Sequence, residues 1–348
     1  MDQAEFEKQI EPFTFDLPDS LIARQPLGER DLSRLLVVDS ASGKIFESSF
    51  RAIPDFFNSS DRLILNRTRV SFRRLALLRT DGKSFKPLFV AFENGIWRVM
   101  VYGAGKLREG QILAHATGEE FEIIGRIEEF VLLKPRNQRA NREWEEFFEA
   151  NGEVPLPPYM GRDDDSMDRT RYRTVFGNDP GSLAAPTAGL HFTQSLLDEI
   201  RRRGAQTLSL SLTIGTGTFA PLKPWNFERK ALHTESYNIP ETTAFELETP
   251  GRNIAVGTTS LRSLESNWRA FSRITAGEFS TDLFLFPPDR ITSVQGLITN
   301  FHLPASSLFM LVCSFAGTEL MQRAYAYAIN HKFRFYSYGD AMLILPGI

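Results

Sequence analysis

With 348 residues, 42% apolar and 24% charged, the chain has room for one large domain or two ordinary ones, and its composition excludes a disordered protein. A formal charge of −3 excludes a surface coated in positive charge, although a sum says nothing about local basic patches. The one cysteine, Cys313, cannot close an internal disulfide, so a reducing compartment is expected; its apolar neighbours would raise its pKa, which speaks against a nucleophile.

The N-terminus M-D-Q-A-E-F-E-K-Q-I lacks the basic start and apolar segment of a signal peptide, and no apolar run approaches the ~18–20 residues of a membrane span. A cytoplasmic protein without membrane contact is the expectation. Turn and cap signals in F-T-F-D-L-P-D-S precede S-R-L-L-V-V-D-S-A-S-G-K-I-F, which reads as two strands joined by a Ser/Gly turn. R-L-I-L-N (62–66) is a third strand, its apolar run ending at a polar corner.

From about 72 to 135 short apolar runs alternate with turns such as E-N-G and T-G-E, the texture of a small antiparallel barrel or sandwich. W-E-E-F-F-E-A-N-G then predicts a helix stopped at Gly152. An inserted domain over 72–149 follows, set into a large domain made of 1–71 and 150–348. R-T-R-Y-R-T-V-F, if extended, points Arg169, Arg171 and Arg173 one way and Tyr172 the other.

In the second half, F-T-Q-S-L-L-D-E-I-R-R-R-G has helical spacing, with Thr193 as N-cap and Gly204 as the stop. L-S-L-S-L-T-I-G alternates like a half-buried strand, and N-I-A-V-G-T-T-S-L-R-S-L-E-S reads as strand, tight Gly turn, helix. S-S-L-F-M-L-V-C-S-F-A-G predicts a buried helix, E-L-M-Q-R-A-Y-A-Y-A-I an amphipathic one, and F-R-F-Y-S-Y-G-D-A-M-L-I-L a strand, turn and strand. Helices alternating with strands make the large domain α/β with a mixed sheet, carrying a small all-β, barrel-like insertion.

Several stretches carry chemistry. His191, just before the helix that Thr193 caps, would meet backbone N–H groups and a positive dipole end, favouring the neutral, proton-accepting ring; a His held by the turn for structure alone is an equal reading. Gly257, Thr258, Thr259 and Ser260 stand where a strand hands over to a helix, a corner that binds anionic groups, with Arg262 one turn in. An unliganded corner is the plain alternative, and neither the glycine spacing nor the lysine of a P-loop is present. The G-T-G of 215–217 is a weak sign of backbone approach to a ligand. His233 and Glu235, if extended, share one side. Asn300, His302 and Asp340 add polar groups, but no metal-ligand spacing supports a metal hydrolase, and no metal is expected. Arg62, Arg67, Arg69, Arg73, Arg74 and Arg79 crowd one stretch, and arginine with nearby aromatics suits folded RNA.

Ten motifs in order, among them F-D-L-P-D-S-L-I-A, L-N-R-T-R-V, A-A-P-T-A-G-L-H-F-T, G-T-G-T-F-A-P-L, G-T-T-S-L-R-S-L-E, N-F-H-L-P and S-Y-G-D-A-M, make nearly the whole chain resemble the S-adenosylmethionine:tRNA ribosyltransferase-isomerase family of queuosine synthesis. The resemblance implies an α/β domain with a β-barrel-like insertion and a reaction that takes ribose from S-adenosylmethionine. In it the ribosyl unit passes to the aminomethyl group of a 7-deazaguanine at the tRNA wobble position and isomerises to epoxyqueuosine, with adenine and methionine released. S-adenosylmethionine is then a consumed substrate, no other cofactor is needed, and the partner is tRNA carrying the precursor base; a monomer is slightly favoured.

On that resemblance His191 is expected as base, with His233 and Glu235 as a second acid–base pair. Thr187, Gly215, Gly217, Thr258, Thr259, Arg262, Asn300, His302 and Asp340 are expected to bind S-adenosylmethionine, and Arg30, Arg34, Arg69, Arg73, Arg74, Arg171 and Arg173 to touch tRNA. The chain departs from the family pattern where L-T-I-G puts Thr213 in a His position, at Pro287-Pro288, at Gln295 and in S-F-R-R-L. Threonine cannot shuttle a proton near neutral pH, so a weakened or inactive tRNA-binding relative is the alternative.

Overall fold

Four consecutive apolar residues, Leu35–Val38, are buried on both faces of a strand, as a run without alternation requires. That strand, β1 (Arg34–Asp39), belongs to a nine-stranded sheet with β2 (Ile45–Ser49), β3 (Asp61–Asn66), β4 (Gln206–Leu212), β5 (Ala231–Ile239), β6 (Arg252–Val256), β7 (Gly277–Leu283), β8 (Gly296–Asn300) and β9 (Ala341–Leu345). The computed structural model describes residues 1–215, 217 and 221–348. By internal contacts it divides into two units: Met1–Thr68 with Arg171–Asp179 and Ala185–Ile348, and Arg69–Thr170 with Pro180–Ala184.

In the first unit the strand order is β7-β5-β4-β3-β6-β8-β9-β1-β2. Strands β4, β3, β6 and β8 run parallel, β9 runs against β8, and β1 runs with β9. Antiparallel β5, β7 and β2 complete a mixed sheet. The carboxyl ends of β4, β3, β6 and β8 therefore share an edge with the amino ends of β9 and β1. In open α/β sheets that edge is where ligands bind.

The helices fix this edge. Thr193 caps α1 (Gln194–Arg202), its hydroxyl accepting the Leu196 N–H at 3.2 Å, and Leu196, Leu197 and Ile200 join Leu35, Leu63 and Val256 in one core cluster. Gly257, at φ +92°, turns β6 into α2 (Thr258–Phe271). The buried α3 (Ser307–Ala316) and the amphipathic α4 (Thr318–Asn330) follow as expected. Two expectations fail. Asp168–Arg171 is a short helical turn, not a strand, so the three arginines do not share a side. Before β9 there is no strand either: Phe335 makes only an isolated bridge to Ile22, because Arg334 N–H turns to the Asp340 carboxylate.

The second unit holds a seven-stranded sheet of antiparallel neighbours, in the order 84–85, 77–79, 112–115, 120–127, 130–135, 96–100, 88–93. Arg74 bridges Leu88 at one end of that order while Leu77–Arg79 lies near the other, so a single stretch touches both ends. The helix Asn141–Asn151 buries Trp144, Phe147 and Phe148 against Phe89, Trp97 and Phe121. The sequence reading ends the insertion at 149, whereas contacts carry this unit to Thr170. Glu153 bridges Arg74, and the Arg169 guanidinium lies 4.3 Å over the Phe72 ring, which ties the returning chain to the strands.

Candidate active site

The shared edge of the large sheet is stitched together by Asn66 at the end of β3. Its amide donates to the Leu212 carbonyl at 3.1 Å and the Thr259 hydroxyl at 3.2 Å, and its oxygen accepts the Leu212 N–H at 3.0 Å. The end of β4 is thus bound to the start of α2. A Cβ on Gly257 would stand 3.6 Å from Thr259 Oγ1 and 3.7 Å from the Ala188 Cβ, so the turn Thr187–His191 reaches the same corner. Thr187 is half-buried there, Thr258 is buried, and the first N–H groups of α2 have no side-chain cap.

Next along the edge, His191 sits between two loops. Its Nδ1 lies 2.7 Å from Ser33 Oγ and its Nε2 3.0 Å from Asn300 Nδ2. Because an amide nitrogen only donates, Nε2 accepts, and Nδ1 carries the proton that Ser33 receives. Burial, then the charges of Arg30, Arg334 and Arg171, pushes the imidazole down to about 3, so it is neutral at pH 7. The expected neutral ring is present, but burial and arginines produce it instead of a helix dipole. With 4% of its surface exposed and both nitrogens bonded, the ring holds Ser33 and Asn300 in place and has no free lone pair for substrate. Asn300 also donates to the Tyr336 carbonyl at 3.1 Å, and its own oxygen is buried without a partner among the described residues.

His302 is also buried, bonded through Nε2 to Thr299 Oγ1 at 2.9 Å and pushed by burial down to about 3. Asp340 accepts the Arg34 N–H at 2.9 Å and the Arg334 N–H at 2.8 Å, and burial raises its pKa; it fixes the turn before β9. These placements make His302 and Asp340 supports of the edge.

At the other end, Glu235 on β5 ion-pairs with Arg262 of α2 and accepts the Gly215 N–H at 3.0 Å. Burial lowers Arg262 to about 10, partly opposed by the charge of Asp282, so it is still a cation at pH 7, ion-paired with Glu235. His233 is exposed; its ring meets Trp225 edge-on at 5.6 Å, and a Cβ on Gly217 would fall 2.6 Å from it. The backbone at 217 thus lies directly on the imidazole because residue 217 is glycine. His233 and Glu235 share β5, but no hydrogen bond or ion pair joins them among the described residues; Glu235 is engaged by Arg262 and the Gly215 N–H. Thr213 is exposed just beyond β4. Thr216, Thr218, Phe219 and Ala220 of G-T-G-T-F-A-P-L lie outside the described residues.

The arginines divide. Arg34 ion-pairs with Glu47 at 2.6 Å, and Arg73 ion-pairs with Glu145, so both are committed to carboxylates. Arg74 donates to the Leu156 carbonyl at 3.4 Å, Arg69 and Arg173 are half-buried, and Arg30 and Arg171 line a cavity beside His191. Sequence reasoning missed Ser33 and Arg334. It read Asn66 only as a polar corner, a signal that fits its stitching role. Among the described residues no cluster of three or more His, Cys, Asp or Glu side chains has the arrangement to hold a metal ion, and no helix is long and apolar enough to cross a membrane.

An α/β sheet with glycine, hydroxyl and amide groups gathered at the carboxyl ends of its parallel strands defines a ligand-handling enzyme fold. The model of a family described as queuosine biosynthesis protein matches residues 10–344. An S-adenosylmethionine:tRNA ribosyltransferase-isomerase of Geobacter metallireducens is 40% identical over 343 residues, covering 97% of this chain and 99% of that one. One from Rubrobacter xylanophilus is 41% identical over 333 residues, covering 96% of each. The crystal structure of S-adenosylmethionine tRNA ribosyltransferase from Thermotoga maritima is 30% identical, with a TM-score of 0.54, covering 96% of this chain and all of that one. The chain belongs to the queuosine-biosynthesis family of S-adenosylmethionine:tRNA ribosyltransferase-isomerases. It is an enzyme, a transferase and isomerase of tRNA modification.

Proposed function

We propose that the chain moves the ribosyl unit of S-adenosylmethionine to the aminomethyl group of a 7-deazaguanine at the tRNA wobble position, forming epoxyqueuosine and releasing adenine and methionine. S-adenosylmethionine is the consumed substrate, and the reaction needs no separate cofactor. The observation that carries this reading is the gathering of the family's motifs on one edge of the large sheet: Gly215, Gly217 and Glu235 beside Arg262, and Gly257–Thr259 beside the turn that bears His191.

A sulfonium acidifies the hydrogens on the neighbouring C5′, so an accessible neutral imidazole can remove one. Methionine leaves as a neutral thioether, and adenine leaves with a donated proton. His233 has the exposed ring this step needs, so we assign it as proton acceptor and give His191 the role of a positioning residue. The uncapped N–H groups and hydroxyls of Thr258 and Thr259 suit a carboxylate or ribose hydroxyl. Thr213 favours one rival, an inactive tRNA-binding relative that lacks a needed imidazole.

Incubation with S-adenosylmethionine and tRNA bearing the precursor base tests both. Adenine release is expected, with His233→Ala lowering it at least ~100-fold, as loss of an acid–base group does. Tight tRNA binding without adenine would favour the rival, and near-normal turnover in H233A would remove His233 from the chemistry.

A further inference from the structure

The cavity beside His191 is small, about 20 Å³, opens to solvent, and is lined by Arg30, Ser33, Arg171, His191 and Tyr338 among others. Positive charge gathers around it. Arg171 Nη1 donates to the Leu27 and Gly28 carbonyls at 2.6 and 2.8 Å, and Arg334 Nη2 to the Gln25 carbonyl at 2.5 Å. These carbonyls aim the guanidiniums without neutralising them. Arg171 Nε and Arg334 Nη1 are buried and have no hydrogen-bond partner among the described residues. Of the carboxylates nearby, Glu29, which lines the cavity, pairs with Arg51, as does Asp31, while Asp340, held by the Arg34 and Arg334 N–H groups, offsets part of the Arg334 charge. The positive charges are close enough that Arg30, Arg334 and Arg171 each disfavour a proton on His191.

Like charges brought together and partly desolvated are costly unless a counter-charge joins them, and buried N–H donors without acceptors add to that cost. A guanidinium fork fits the two oxygens of a carboxylate or phosphate. We propose that Arg171 and Arg334, with Arg30 beside them, form a subsite for one oxyanion of the substrate at the cavity next to His191. The oxyanion is either the methionine carboxylate of S-adenosylmethionine or a phosphodiester of the tRNA; this choice rests on the function proposed above, and the subsite itself does not.

Binding, not turnover, tests it. Thermal melts with inorganic phosphate, and titrations with S-adenosylmethionine and with tRNA, are run on the wild type, Arg334→Gln and Arg171→Lys. R171K keeps the charge but loses the fork, and R334Q leaves the Arg171 bonds to the Leu27 and Gly28 carbonyls untouched, so retained folding is expected in both. Phosphate is expected to raise the wild-type melting temperature, as any ligand of the folded state does, and R334Q is expected to lose that rise. A tenfold or greater loss of S-adenosylmethionine affinity with an unchanged tRNA salt slope assigns the carboxylate. A salt slope reduced by about one assigns the phosphodiester. If phosphate stabilises wild type and R334Q equally and neither substrate weakens in either variant, the subsite is refuted. A wild type that binds neither substrate would sink the proposed function while the phosphate arm still judges the subsite.

Discussion

His191 and His302 both stay neutral in the fold because burial disfavours their cations, each pushed down to about 3. An unfolded imidazole titrates at about 6.5. Between those values the unfolded chain binds protons that the folded one refuses, so the stability is complete above about 6.5 and is lost as pH falls toward 3. Once well below 6.5, each ring costs about 1.4 kcal/mol per pH unit. Denaturant titrations between about pH 6 and 4.5 are therefore expected to show a slope shallower by roughly that amount in His191→Gln than in wild type. Equal slopes would mean that His191 is charged or open to water in the fold. The residue itself was legible in A-G-L-H-F-T, but its environment was not. Ser33 lies 158 residues away, and local sequence carries no sign of a partner reached only when β1 and the Thr187–His191 turn meet at the edge.

At the scale of elements, local pattern was a good guide wherever one face or both had to be buried. The two strands around the Ser/Gly turn, the Thr193 cap and the strand–glycine–helix at Gly257 all follow from period and cap chemistry. Pattern misled at R-T-R-Y-R and F-R-F-Y, because alternation of charged and aromatic residues does not need a sheet to satisfy it: Arg169 stacks on Phe72, and Phe335 packs against Phe301. The helix ends at Gly152 as its sequence predicts, and the Gly152 backbone is extended there (φ −85°). Its glycine is required for space: a Cβ would fall 1.7 Å from the Phe72 carbonyl oxygen and 2.8 Å from that of Phe148. Backbone cannot yield as a side-chain tip can, so Gly152→Ala is expected to destabilise the protein by about 3 kcal/mol or more. Gly105→Ala, whose Cβ meets nothing within 4 Å, is expected to stay within about 0.5 kcal/mol in the same denaturant titration. Similar losses in both would refute the steric account.

For the molecule as a whole, a chain of net charge −3 that handles tRNA must use arginines whose charge is not already spent. Sequence could count the arginines but not their partners, which come from distant positions. Arg73 illustrates the difference: it looked like part of an RNA-facing cluster, but it is held by Glu145, with Nε at 2.9 Å from that carboxylate, while Ser71 donates to the same group at 2.6 Å. Both partners are largely buried, with 15% and 22% of their side chains exposed. Removing the cation leaves a buried carboxylate unpaired, which costs more than the pair contributes. Arg73→Gln is therefore expected to lower stability by about 1–3 kcal/mol, and adding Glu145→Gln to recover part of that loss. Because the pair is neutral to an approaching phosphate, the slope of tRNA affinity against salt should not change in R73Q. A slope reduced by about one would place Arg73 on the RNA despite Glu145.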